Sequence, residues 1–129
     1  MAEQEEGRAR SAATIVAGLV GLFLVVAGLW AFLAPRPFFD ALAVFEPYNA
    51  HFIRDIGAFQ IGLGAVLLLA LRLEDALTVA LGGVGAGALF HAAAHVIDRD
   101  LGGTPATDIP FFGVMAVVLL AAAFTRRRA

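Results

Sequence analysis

His91 and His95 stand four residues apart in the apolar stretch Leu89-Phe90-His91-Ala92-Ala93-Ala94-His95, and Asp98 follows three residues later. A second set, Asn49, His51 and Asp55, repeats the spacing of four between an imidazole and a carboxylate. Residues three and four apart share one face of a helix, so each set projects its side chains in one direction. Imidazoles and carboxylates on facing helices are how helical bundles bind metals. His51, Asp55, His91 and His95 offer three nitrogens and one oxygen to zinc, copper or iron, with Asp98 or Asn49 in or just behind the coordination shell. The same groups also suit a proton relay or a ligand pocket, working as acid–base partners. A third reading is a polar knot that sets the register of the helices and binds nothing. All three stay open at this point: Asn49 is equally placed to cap a helix, Asp55 to pair with Arg54, Arg99 or a histidine, and Asp98-Arg99-Asp100 to be a solvated helix end.

What must position these residues is a membrane bundle. The chain of 129 residues is 60% hydrophobic and 16% charged, with a mean hydropathy of +0.85. A soluble domain has roughly 45–50% apolar and about 25% charged residues, so the composition is that of an integral membrane protein. Such a length accommodates one membrane domain, residues 1–129, and leaves no room for a soluble catalytic domain. The absence of cysteine excludes disulfides, iron–sulfur clusters and thiolate chemistry.

Four apolar runs can be marked off. Residues 12–34 carry no charge over 23 positions, about 34 Å of helix against a hydrocarbon core of roughly 30 Å. Residues 51–71 are polar only in their first turn, with Gln60 as an isolated polar position predicted to hydrogen-bond between helices. Residues 76–97 contain Gly82, Gly83, Gly85 and Gly87, a small-residue stripe that predicts the central packing helix. Residues 109–124 form a shorter run, with Asp108 predicted as its N-cap and Pro110 near the first helical position. The fold class is all-α, a bundle of four transmembrane helices. Consecutive spans alternate in direction, which brings the start of the second and the end of the third, and with them all six polar residues, to one side.

The first run exceeds the apolar core of a signal peptide and follows the acidic Glu3-Gln4-Glu5-Glu6, so it reads as a retained span. Arg8, Arg10, Arg72, Arg126, Arg127 and Arg128 then lie on one side, and Arg36, Arg54 and Arg99 on the other. By the positive-inside rule both termini are cytoplasmic, in the cell's inner or plasma membrane, and the histidines face outward. Residues 35–50 hold Pro35, Pro37 and Pro47 among Phe38, Phe39, Phe45 and Tyr48, a pattern that predicts a short amphipathic piece in the interface, roofing the cluster. Arg72, Glu74 and Asp75 mark a tight cytoplasmic turn, and residues 98–108 a polar outer loop.

Other signals are weak. The Gly82–Gly87 run has no strand before it and is packing glycine rather than a nucleotide loop. Arg126-Arg127-Arg128 reads as a topology anchor touching anionic lipid, not a nucleic-acid patch. No Ser-His-Asp, Walker or kinase pattern is present, which leans away from an enzyme. The stretch Tyr48-Asn49-Ala50-His51-Phe52-Ile53-Arg54-Asp55-Ile56-Gly57-Ala58-Phe59-Gln60, together with His91-Ala92-Ala93-Ala94-His95-Val96-Ile97-Asp98, resembles functionally uncharacterised small four-span membrane proteins of bacteria, chiefly actinobacterial, broadly similar in layout to the DoxX-like group. That resemblance implies a four-helix membrane bundle and transfers no functional residue. Three functions follow: a metal- or haem-binding or redox-cofactor protein, an accessory subunit that pairs with itself or with another membrane protein, and a small enzyme or quinone-type redox partner using His and Asp as acid and base.

Overall fold

The computed structural model describes residues 1–73 and 75–128; Glu74, Ala129 and the side chains of Ala2, Arg127 and Arg128 lie outside the described residues, and with them part of the expected turn and of the arginine anchor. Five helices follow in order: α1 Ala2–Leu33, α2 Pro35–Leu42, α3 Ala50–Ala70, α4 Leu77–Ile97 and α5 Pro105–Arg128, with no strand among the described residues. Four of them, all but α2, are long and apolar enough to cross a membrane. Large apolar side chains lie bare on their outer faces, including Phe59, Val79 and Phe90, each at least three-quarters exposed. A patch of that size facing water would drive association, whereas hydrocarbon accepts it. The chain is a multi-pass helical membrane protein.

Helix boundaries follow local chemistry. α1 runs about 48 Å, longer than the bilayer core, because its polar first turns are also helical, tied by an Arg10–Glu6 ion pair at 2.8 Å. It stops at Leu33 since Ala34 precedes Pro35, and a residue before proline is pushed out of the helical region; Ala34 sits at φ −132° and ψ 66°. α5 begins at Pro105, four residues earlier than the apolar run indicates. Asp108 is thus inside the first turn rather than at the cap, and Pro110 is inside the helix rather than at its start. The carboxylate of Asp108 reaches back to accept from the Thr104 backbone N–H at 2.7 Å and hydroxyl at 3.1 Å. Those bonds satisfy an otherwise orphaned helix-start donor and carry the helix through the polar residues.

The bundle is built from two close pairs. α1 and α3 run antiparallel along a seam of Ala17, Gly21, Leu24, Gly28 and Ala31 against Ile53, Gly57, Gln60, Gly64 and Leu67, alternating steps of four and three in each helix. Glycine is required there by backbone contact: a Cβ on Gly57 would lie 2.7 Å from the Gly28 carbonyl oxygen, and one on Gly64 2.6 Å from that of Gly21. α4 and α5 form the second pair, with Gly85 against Leu119 and Leu120. Gly83 and Gly87, expected in the packing stripe, instead have no neighbouring atom where a Cβ would stand. The close approach that lets helices associate in lipid therefore lies mainly between α1 and α3. The main core is correspondingly small-residue, with Ala13, Ala17, Ala80, Ala88 and Ala116 beside Leu67, Leu81 and Leu119. α3 and α4 touch much less and leave a trough between them.

Candidate functional site

The six polar residues separate into two local pairs and two helix caps. Asn49 is the N-cap of α3, its side-chain oxygen accepting from the backbone N–H of His51 and Phe52 at 3.0 and 3.2 Å. His51 Nε2 lies 3.4 Å from Asp55 Oδ2 one turn along the same helix, in an open position where the histidine side chain is 85% exposed. Asp55 therefore pairs with its own helix rather than across the bundle. Asp98 is the C-cap of α4, exposed, with its backbone N–H bonded to the Ala94 carbonyl. Among the described residues no three His, Asp or Glu side chains group closely enough to hold a metal ion.

His91 and His95 do meet, and with partners that sequence spacing does not name. Their Nε2 atoms are 3.2 Å apart, and the rings stack with centroids 5.0 Å apart. His95 turns its other nitrogen, Nδ1, toward Asp108 Oδ2 at 3.8 Å; both side chains are largely covered, at 12% and 17% exposure. Phe112 lies flat against His91, centroid to centroid 3.8 Å. The reason is the antiparallel register of α4 and α5, in which each step of four back along α4 meets a step of four forward along α5. His95 falls beside Asp108 and His91 beside Phe112. The signal for Asp108 is in the sequence, as the first acid of the fourth span on the side where the third ends, but its capping role hides it.

The connection between α1 and α3 covers this end. α2 buries Phe38 and Phe39 against Ala31 and Ile53, and its Arg36 guanidinium lies 4.9 Å from the Tyr48 ring centre. The Asp40 carboxylate, through a hydrogen bond and then its charge, pushes the Arg36 pKa above its ordinary value. After α2 the Val44 carbonyl accepts from the Gly103 N–H at 2.8 Å, and the Phe45 ring stands 6.0 Å from that of His95. Gly102 and Gly103 have φ of +143° and +70°, and a Cβ on either would strike Val44 or Phe45. Residues 43–45 thus fold over this end, with Phe45 beside His95 and Gly103.

Beneath the site a cavity of about 240 Å³ opens between all four long helices, reaching Leu24 of α1, Gln60 of α3, His91 of α4 and Met115 of α5. Gln60 Oε1 is buried there without a hydrogen-bond partner, so the predicted interhelical bond is not made. From Asp108 in the first turn of α5, polar groups descend through His95 to His91, about 6 Å deeper at 1.5 Å per residue, and on to Gln60 midway along α3. Comparison with protein-family models, with curated proteins and with solved structures finds no match, and the site is read from its geometry.

Chemically, the His91–His95 contact holds one shared hydrogen. Neutral imidazole has one donor and one acceptor nitrogen, so one Nε2 carries the hydrogen and the other receives it. If both rings take a second proton, both Nε2 atoms become donors and the bond is lost. Their 3.2 Å separation also equals the spacing of two nitrogens on one tetrahedral ion, about 3.3 Å for bonds of 2.0–2.1 Å. A zinc site needs further ligands, whereas the His91–His95 pair is hydrogen-bonded as it stands, with Asp108 at an ion-pair distance of 3.8 Å.

Proposed function

We propose that this chain is a membrane protein with an acid–base site, Asp108–His95–His91, that passes protons between the interface and the interior of the bundle. The observation that carries it is the Nε2–Nε2 contact of 3.2 Å continued by His95 Nδ1 toward Asp108. Ionisable residues inside a span are costly and tend to serve a path or a ligand. Here three of them stand in line from the first turn of α5 inward. In ¹⁵N-histidine NMR of the protein in nanodiscs, one of these two Nε2 atoms should be protonated and its neighbour bare, with the pairing lost when acid doubly protonates both rings. His51 should respond independently. Identical, uncoupled signals from His91 and His95, each indifferent to replacement of the other, would refute the relay.

Orientation belongs to the same proposal. Six arginines on the side of the termini against three on the other support a cytoplasmic position for both termini, in which case the relay opens outward. A C-terminal phosphatase fusion should be silent and a fluorescent-protein fusion bright; the reverse pattern would invert the site.

A further inference from the structure

The trough between α3 and α4 continues the central cavity. A second hollow of about 620 Å³, lined by both helices, runs toward the α3–α4 turn as far as Leu73 and Ala76. It shares Leu63 and Val84 with the cavity of about 240 Å³ below His91. The two make one apolar slot that runs about 15 Å along α3 from Gln60 to Ala70 and on to Leu73 in the turn. Its polar groups are at one end. Gln60 Oε1 is a buried acceptor that no donor reaches, and His91 has a ring nitrogen, Nδ1, outside its bond to His95.

We propose that this slot binds a single-chain membrane amphiphile with a neutral hydroxyl head, the chain lying along α3 and α4 and the hydroxyl donating to Gln60 Oε1. A buried acceptor left unpaired bears the full loss of its hydration, so the occupant must bring a donor. Among the described residues no Asp, Glu, Arg or Lys lines either hollow, so a charged head would find no partner among them in hydrocarbon. The depth of the cavity below His91 also favours a chain over a partner helix as its occupant. It reaches Leu24 of α1 and Met115 of α5 behind the α3 and α4 faces, where a chain fits and a helix about 10 Å across does not. Entry is lateral, from the bilayer in which such amphiphiles dissolve. The inference uses Gln60 and the slot, and stands apart from the proton relay.

Gly83 and Gly87 supply the test, because a Cβ added at either meets nothing within 4 Å and a larger side chain there projects into the slot. A photoreactive dodecanol carrying a diazirine in its chain is irradiated with the purified protein in nanodiscs, and labelled peptides are mapped. Labelling should centre on Leu63 and Val84 and be displaced by plain dodecanol. The methyl ether of the same probe, which cannot donate, should label about tenfold less. Gly87→Leu should lower labelling about tenfold with unchanged thermal stability, Gln60→Leu should lower it about tenfold, and His95→Ala should leave it intact. Equal labelling by alcohol and ether, or full labelling of Gly87→Leu, would overturn the proposal and leave ordinary lipid contact. If a Gly83→Cys variant instead cross-links to a second copy in high yield while the probe fails to label, a dimer covers the slot and the proposal is wrong.

Discussion

Gly57→Leu should abolish the folded bundle, whereas Gly83→Leu on α4 should leave it intact. At Gly57 the atoms met by a new Cβ are the Gly28 carbonyl oxygen at 2.7 Å and the Phe32 backbone nitrogen at 2.8 Å. Neither can rotate away as a side chain would, so α1 and α3 must move apart. Because the same contact recurs at Gly21 and Gly64, separation at one point unseats the whole seam. The cost should exceed the roughly 1–3 kcal/mol usual for overpacking. Packing is the main force left to hold helices together when lipid is as apolar as the side chains. Gly57→Ala should already lower the melting temperature in detergent, and Gly57→Leu should yield no monodisperse protein. Gly83→Ala should be neutral or slightly stabilising, since alanine is the better helix former by about 1 kcal/mol. Equal thermal stability of Gly57→Leu and wild type would show that the α1–α3 seam does not hold the bundle.

Replacing Asp108 should have the second largest effect, and its two roles can be separated. Asp108→Ala removes the acceptor for the Thr104 N–H and hydroxyl, bonded at 2.7 and 3.1 Å, and also the anion 3.8 Å from His95 Nδ1. Losing a helix-start acceptor alone costs about 1 kcal/mol, and a charge-assisted bond about 1.5–3 kcal/mol. Asp108→Asn keeps an oxygen for Thr104 and discards the charge. The alanine variant should therefore lose thermal stability by several degrees. The asparagine variant should keep most of its stability yet redistribute the hydrogen between His91 and His95, read from their ¹⁵N signals. If neither variant changes those signals, Asp108 serves the helix start alone and the relay ends at His95.

The number of helices and the side on which each polar residue emerges were legible from residue types. Twenty apolar residues without charge must form a helix in a bilayer, since no other backbone conformation satisfies its own hydrogen bonds there, and alternation then places His51 and His95 at one end. The Asn49 cap and a short piece between the first two long helices were legible for the same kind of local reason. Which residues meet within that end was not. A span that is apolar all round has no wet face to mark its inward side, so spacing alone pointed to Gly83 and Gly87 as the packing stripe, whereas Gly57 and Gly64 bear the closest contacts and Gly83 and Gly87 line a slot. Nor did it show Gln60 Oε1 unpartnered, or His51 held by Asp55 away from His91. Those outcomes depend on the rotation of each helix and on the α4–α5 register that sets Asp108 beside His95, and both are decided by close contacts between residues far apart in the chain. The sequence by itself determined a four-span bundle with its imidazoles at one end; the tertiary structure decided which of them share a hydrogen, because a helix in lipid learns its orientation only from its neighbours.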